Sequence, residues 1–471
     1  MSIKWDLNSN YIEKLQTLIK HGKSEKLIDT LNTIHTADIA EIIEILDKKE
    51  AQYLYKLITD KERLAAIIIE LDDETREKLL EDLTANEIAN VVIDKLATDD
   101  AANVIGEFSD DKKEEVLAQI KDEVLLNNIN DLLSYPDDTA GSLMEKELIK
   151  VNENWHTIKC LKEMRKQAND LKNIYTIYVV NDEDKLLGLM SLRKLLLTEN
   201  STAIKDIMND NIISVHCLEN NENVANMMQK YNLVTIPVIN NIGKLIGRIT
   251  FDDIMDVAKE EAEKDYQLAS GISEDVESSD TILMLTRARL PWLLIGMFGG
   301  ILGAGIIGLF DLRQNFELAF FIPLIAAMGG NVGVQSAAIV VQGLAKESLK
   351  MENIFQKLLK ELFVGLLNGI ICSVIILGSS LVLGYGILLS ATVSISLLAV
   401  IVFAAIFGTL IPLTLEKYNI DPALATGPFI TTINDVLGLF IYFYIGQAIL
   451  WNENSFYWYR SSSFKKRARK K

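Results

Sequence analysis

Hydrophobic and polar positions divide the chain into three regimes. Up to about residue 135, apolar residues recur every three or four positions, the spacing of amphipathic helices, and no proline occurs before Pro136. This stretch also repeats itself. DIAEIIEILDKKEAQYLYKLI (38–58), RLAAIIIELDDETREKLLEDL (63–83) and EIANVVIDKLATDDAANVIGEF (87–108) place Ile43, Ile68 and Ile93 25 residues apart, and likewise Leu46, Leu71 and Leu96. One helix pair cannot bury its own apolar face, so the units are predicted to stack into a short α-helical solenoid. From about Ala140 the pattern shortens. TIYVV (176–180) and TIPVI (235–239) are β-branched runs, each followed by a turn, an apolar strand and a helix, and each preceded by a helix (His156–Ala168, Glu222–Tyr231). The third regime is five apolar stretches, roughly Leu290–Phe310, Leu318–Leu344, Leu362–Tyr385, Ile387–Leu415 and Ala423–Leu450. Each meets the roughly 20 helical residues needed to cross a hydrocarbon core of about 30 Å, and five in succession predict a membrane domain.

Charge sharpens this division. Of 47 Lys and Arg and 65 Asp and Glu, residues 287–471 hold 15 and 9, which leaves 32 basic and 56 acidic residues in the first 286. A front part this acidic argues against a nucleic-acid partner held by phosphate contacts. The three cysteines (Cys160, Cys217, Cys372) have no metal-ligand spacing and fit a reducing compartment. MSIKWDLNSN contains no apolar signal core, so the front part is expected to stay cytoplasmic. Five spans then place Arg287, Arg289, Lys346, Lys350, Lys357, Lys360 and Lys417 inside and only Arg313 in the first outside loop, in agreement with the positive-inside rule. The tail with Arg460, Lys465, Lys466, Arg467, Arg469, Lys470 and Lys471 would lie outside and conflicts with the rule, although it sits beyond the distance where the rule is strong.

Nothing here predicts an enzyme. His21, His35, His156 and His216 have no Cys or carboxylate partner at ligand spacing, and neither a G-x-S-x-G nor a phosphate-binding Walker loop occurs. The spans carry the chemistry. Span 2 reads FFIPLIAAMGGNVGVQSAAIVVQGLA, with Gly329, Gly330, Asn331, Gly333, Gln335 and Ser336 interrupting the apolar run. Glycines there allow close helix approach, and the carboxamides need partners. Span 5 reads DPALATGPFITTINDVLGLFIYFYIG and holds Asp435, the only ionisable residue deep inside these five stretches. A carboxylate at that depth costs about 2.5–3.5 kcal/mol on insertion scales, so it is expected to face a cavity, a cation or a hydrogen-bonding neighbour helix. Pro428 is expected to free a carbonyl nearby, and Thr431, Thr432 and Asn434 add polar groups. Oxygen ligands suit a hard cation such as Mg²⁺, held with its waters by one or two carboxylates, as two copies of Asp435 on a two-fold axis would do. Spacing alone leaves Mg²⁺, Ca²⁺ and Mn²⁺ open. Before the membrane, FDDIMDVAKEEAEKDYQL (251–268) alternates apolar and acidic positions at helical spacing and on charge alone reads as a solvated connecting helix.

The strand–turn–strand–helix unit given twice resembles a tandem pair of CBS domains, an α/β regulatory module. Gly247, Thr250 and Asp253 fill the G-x-x-T-x-x-D positions where such modules often hold the ribose of an adenosine nucleotide, whereas the first copy has Gly188 and Ser191 but Lys194 in the acidic place. ATP at one copy and a plain dimerisation scaffold both remain open. TAGSLM (139–144), the CBS pair, RLPWLL (289–294), MGGNVGVQS (328–336) and DPALATGPFITTINDVLG (421–438), in this order, resemble the MgtE family of magnesium channels over essentially the whole chain up to about Ile449.

The resemblance implies a multidomain membrane protein: helical-repeat N-domain (1–135), tandem CBS domains (136–250), acidic connecting helix and linker (251–286), five-helix all-α pore domain (287–450) and basic tail (451–471). It implies a homodimer in the cell membrane, with cytoplasmic N-terminal domains and a pore on the two-fold axis. By motif, Asp435, Gly427 and Thr431 match the family's pore ion site, with Gly329, Gly330, Asn331 and Asn434 as pore-lining candidates. It further implies a cytosolic Mg²⁺ sensor that holds the pore shut, with Asp99, Asp100, Asp253, Asp256, Glu260 and Glu261 as its candidate ligands. ENNEN (219–223) and Lys264 stand where relatives are more acidic, so weaker or shifted sensing is expected. The alternatives are a CBS-regulated channel or carrier for another divalent cation (Mn²⁺, Co²⁺) or for anions, and a membrane-tethered nucleotide sensor without transport.

Overall fold

The computed structural model describes residues 9–81, 83–168, 171, 173–274, 276, 280–310, 316–345, 354–418, 420–425 and 427–468, with the side chains of 9–10, 345, 425 and 451–468 left aside. The expectations for Arg313, Lys346, Lys350 and the ends of the tail therefore lie outside the described residues. The chain forms two compact units, residues 1–259 and 260–471.

In the first unit the 25-residue repeat is a stack of helix pairs, Thr36–Ile45 with Lys48–Leu57 and Lys61–Glu70 with Asp73–Leu80. Aspartates cap several of them: Asp47 accepts the backbone N–H groups of Lys49 and Glu50, Asp60 those of Glu62 and Arg63, and Asp72 that of Thr75. Ile43, Ile68 and Ile93 are fully buried at equivalent points of one continuous core. The third unit departs from the pattern, because Ile88–Val92 winds as a π-helix and Ile93–Lys95 as a 3₁₀ turn before helix Thr98–Gly106 begins. Such bulges cluster at functional positions.

The α/β part contains two small sheets. Strands β1 (Ile149–Asn152), β2 (Ile177–Val180) and β3 (Leu186–Met190) form the first, β4 (Val215–His216), β5 (Thr235–Ile239) and β6 (Leu245–Thr250) the second. In each, the outer strand runs parallel to the middle one and the third returns antiparallel. The copies exchange hydrogen bonds through their turns, Leu186 N–H to Gly243 O (3.1 Å) and Leu245 N–H to Asp184 O (3.0 Å). Buried Tyr178 on β2 donates to Thr235 on β5. The connecting helix, Phe251–Ala269, leaves β6 directly.

Among the described residues, the second unit has five helices long and apolar enough to span a membrane: Ile282–Leu309, Phe316–Leu344, Ile354–Val382, Ile387–Lys417 and Pro428–Leu450. Three starts differ from the sequence reading for physical reasons. Spans 1 and 3 begin eight residues earlier, because a helix need not end where hydrocarbon does, and Arg287, Lys357, Lys360 and Glu361 occupy these added turns. Pro428 opens the fifth helix instead of interrupting it. At that position its missing N–H has no partner to lose, so it frees no carbonyl, and the expectation of one is corrected. Spans 3 and 4 are tied by reciprocal bonds, Ser373 Oγ to Ser394 O (2.8 Å) and Ser394 Oγ to Ser373 O (2.6 Å).

Candidate functional site

Two acidic sites stand out among the described residues, a single carboxylate in the membrane unit and a cluster of three in the first unit. In the membrane unit, Gly330 of span 2 lets span 5 come close. A Cβ at Gly330 would lie 2.7 Å from Thr431 Cγ2 and 3.7 Å from Asp435 Oδ1. Gly330, Thr431 and Asp435 are therefore brought together, and Asp435 is half-buried beside a bare helix surface. Gly427 has φ +60, and its carbonyl accepts both the Thr431 N–H (3.1 Å) and the Thr431 hydroxyl (2.6 Å). That arrangement fixes Thr431 and leaves its oxygen lone pairs as acceptors toward an ion. Asn331 and Gln335, one turn apart on span 2, are exposed on the subunit surface.

Asn434 goes elsewhere. It is 1% exposed, wedged against Gly333 and Ile430 inside the subunit, so within the subunit it presents no open surface. Gly329 sits against Val400 and the Asn434 carbonyl. A second carboxylate of the membrane unit escaped the sequence reading: Glu361, in the turns that precede the apolar run of span 3, accepts the Ser336 hydroxyl (2.6 Å). Its signal lay in the residues just outside an apolar run, where a hydropathy boundary hides it.

The end of the connecting helix packs on this same unit. A Cβ at Gly427 would overlap the Ala269 carbonyl oxygen, and one at Gly271 (φ +80) would lie 2.6 Å from Pro428 Cγ. Ser273 fastens the following turn to span 1, donating N–H and hydroxyl to Ala288 O at 2.9 Å each. Nearby, Asp265 is held above the usual carboxylate range by partial burial, then by Asp421 and Glu261.

In the first unit, oxygens of Asp99, Glu145 and Asp253 lie within 4.8 Å of one another. Each comes from a different element. Asp99 is in the first turn of helix Thr98–Gly106, where the helix dipole favours an acid. Thr98 clamps that helix end by donating to Glu147 (2.7 Å) and accepting the Lys146 N–H (3.1 Å). Glu145 pairs backbone to backbone with Arg248 of β6, and its Oε2 accepts Arg248 Nε (2.9 Å) and Nη2 (2.6 Å). Asp253 opens the connecting helix, and its Oδ2 accepts the Thr250 N–H (3.0 Å) and hydroxyl (2.5 Å).

Burial first, and neighbouring acids after it, raise all three carboxyls above their ordinary values. Burial, then Asp100, Glu145 and Asp253, hold the Asp99 carboxyl well above its usual range. Burial pushes Glu145 up to about 7 against the pull of Arg248, and burial raises Asp253 against its Thr250 bonds. Asp99 is 5% exposed, and its Oδ1 has no hydrogen-bond partner among the described residues. An orphaned buried carboxylate oxygen facing two further carboxylates is a donor set for a hard divalent cation. Glu145 was missed in the sequence, because its approach to Asp253 depends on a pairing with Arg248 about a hundred residues away.

The remaining sensor candidates are placed differently. Asp100 follows Asp99 and is half-buried. Asp256 is exposed one turn along the connecting helix. Glu260 and Glu261 lie further along it, Glu261 paired with Lys264 at 3.0 Å. At the nucleotide motif, Gly247 is covered by Met144, whose Sδ would lie 2.6 Å from a Cβ there. In the first copy Ser191 caps the helix carrying Lys194.

A membrane unit of five apolar helices with a carboxylate in the fifth, preceded by an acidic unit that carries paired α/β repeats, has the architecture of a cation transporter. Family comparisons agree. Residues 322–445 match the model of MgtE, a divalent cation transporter, residues 34–138 the MgtE intracellular N domain, and residues 140–198 and 204–260 the CBS domain. The magnesium transporter MgtE of Bacillus subtilis (strain 168) is 31% identical over 406 residues, covering 86% of this chain and 89% of that protein. The MgtE of Thermus thermophilus is 34% identical over 323 residues, covering 68% and 72%. A solved structure of the cytosolic domain of the Mg²⁺ channel MgtE in complex with ATP is 28% identical, covers 52% of this chain and 99% of that one, and has a TM-score of 0.48. The chain belongs to the MgtE family of magnesium transporters, a transporter family and not an enzyme family.

Proposed function

We propose that the protein is a Mg²⁺ channel of the cell membrane, formed by two copies with the pore between them and closed by cytosolic Mg²⁺. The observation that carries the pore is Asp435, the one carboxylate deep in the spans, standing beside Gly330 and Thr431. A hydrated Mg²⁺ is bound through its waters, so a single carboxylate per subunit, with hydroxyl and carbonyl oxygens near it, is enough to attract the ion without trapping it. The exposed carboxamides of Asn331 and Gln335 support a second copy or water against that face, since in lipid they would lack partners.

Closure follows from the three converging carboxylates. Asp99 belongs to the helical N-domain, Glu145 to the entry of the CBS pair and Asp253 to the connecting helix. Ionised and unbridged, they repel. A divalent cation between them favours the arrangement that brings them together and shifts the population toward it. A switch from mostly open to mostly closed needs about 5.5 kcal/mol of differential binding, which several weak sites supply jointly. Asp256, Glu260 and Glu261 on the same helix are the further candidates. The helix rises about 1.5 Å per residue, and its far end abuts Gly427, four residues before Thr431.

ATP at the CBS pair is a separable part of this reading. At the second copy it would have to share Asp253 with Thr250 and the sensor ion, and at the first it would meet Lys194. The deciding experiment is Mg²⁺ flux into proteoliposomes by wild type and Asp435→Ala. Loss of flux in a folded, dimeric variant supports the pore, and equal flux removes Asp435 from it.

A further inference from the structure

We propose that Arg248 is a built-in counter-cation of the Asp99–Glu145–Asp253 site, lowering its affinity so that it fills only at high cytosolic Mg²⁺. The inference rests on the sensor reading of that site and deepens it by adding Glu145 as a third ligand and Arg248 as the residue that sets the threshold.

Arg248 is 5% exposed, held on one side by two hydrogen bonds to Glu145 Oε2 and on the other by the Tyr175 ring, 5.7 Å from its guanidinium carbon. A guanidinium pinned between a carboxylate and an aromatic face stays in place when the ion leaves. Both bonds fall on one oxygen of Glu145, so the other remains for a metal.

Three carboxylates and one guanidinium leave the site at −2 when all are ionised, and one divalent cation brings it to zero. Without Arg248 the empty site would stand at −3, and an entering cation would no longer be repelled by a fixed neighbour, an effect weakly screened in a buried cluster. The orphaned Asp99 oxygen, 5% exposed at the residue, is the independent sign that the cluster awaits a ligand.

The test uses full-length protein, Mg²⁺ alone as probe, and calorimetric titration of the component that Asp99→Asn removes. Arg248→Gln is expected to lower the half-saturating Mg²⁺ concentration by about tenfold, Arg248→Lys to leave it near wild type, and Glu145→Gln to raise it by about tenfold. Glu145→Gln/Arg248→Gln restores a charge of −2 and is expected within about threefold of wild type. Unchanged or weaker binding in Arg248→Gln overturns the proposal. If that single variant does not fold, the double variant decides: binding as weak as in Glu145→Gln alone shows that the guanidinium charge has no influence on the ion. Asp99→Asn that binds like wild type sinks the sensor reading itself. Loss of binding there, with no gain in Arg248→Gln, sinks only the counter-cation.

Discussion

The two carboxylate sites solve opposite problems with the same functional group. Asp435 stands alone on span 5, with Gly330 of span 2 packed against it and Thr431. Asp99, Glu145 and Asp253 crowd together, largely buried, with an arginine among them. A transport site must release its ion at every passage, so one carboxylate and neutral oxygens suffice. A site meant to hold domains together needs ligands on several elements, and its charges must repel when it is empty. In the proposed function, the number of carboxylates and the elements they come from separate passage from sensing.

Removing the lone carboxylate is expected to have the largest effect. Asp435→Ala should reduce Mg²⁺ flux into proteoliposomes by about a hundredfold or more, while size-exclusion behaviour stays that of wild type. Retained flux would break the comparison on the pore side. Next in size is the sensor. Asp253→Asn/Asp256→Asn/Glu261→Gln should leave currents insensitive to millimolar cytosolic Mg²⁺. Asp99→Asn alone should raise the half-inhibiting concentration by about tenfold. Unchanged inhibition in the triple variant would remove the connecting helix from sensing.

How much of this was legible in the sequence follows from what each feature depends on. The helical repeat, the paired α/β units and the five spans are patterns of neighbouring residues, and Ile43, Ile68 and Ile93 fall in the core as their spacing requires. Asp435 was visible because a charge in an apolar run is anomalous without any structure. Asn434 was not, since the same polarity that marks a pore residue marks one wedged against Gly333. Pro428 misled because its effect depends on whether it begins or interrupts a helix, and the 3₁₀ turn Pro422–Ala425 just before it decides that. Glu145 and Arg248 were invisible because their meaning is a pairing across the fold.

A smaller effect is expected where the connecting helix meets the pore domain. Gly427 adopts φ +60 and would overlap the Ala269 carbonyl if it carried a Cβ. Gly427→Ala should therefore push the end of the connecting helix away and raise residual flux at saturating Mg²⁺ by about two- to fivefold. Gly384 (φ +88) has open space around it, so Gly384→Ala adds backbone strain without the clash and should leave residual flux unchanged. Equal behaviour of the two variants would show that the helix end is not a lever on the pore.

The smallest effect is on pH, and its sign is fixed by burial. Asp99, Glu145 and Asp253 all have raised pKa values, Glu145 to about 7. Between the unfolded value of a carboxyl and this raised one, the folded protein binds more protons than the unfolded chain. Stability without Mg²⁺ therefore falls as pH rises from about 4.5 to 7, which calorimetry should register as a decrease of a few °C. Mg²⁺ binding runs the other way, because the ion needs the deprotonated ligands and competes with protons for them. Lowering the pH from 8 to 6 should thus raise the half-saturating Mg²⁺ concentration several-fold at the Asp99 site. Glu145→Gln should flatten that slope, since it removes the ligand whose titration lies in the window. A pH slope identical in wild type and Glu145→Gln would place the titrating group elsewhere and exclude Glu145 from the ion's shell.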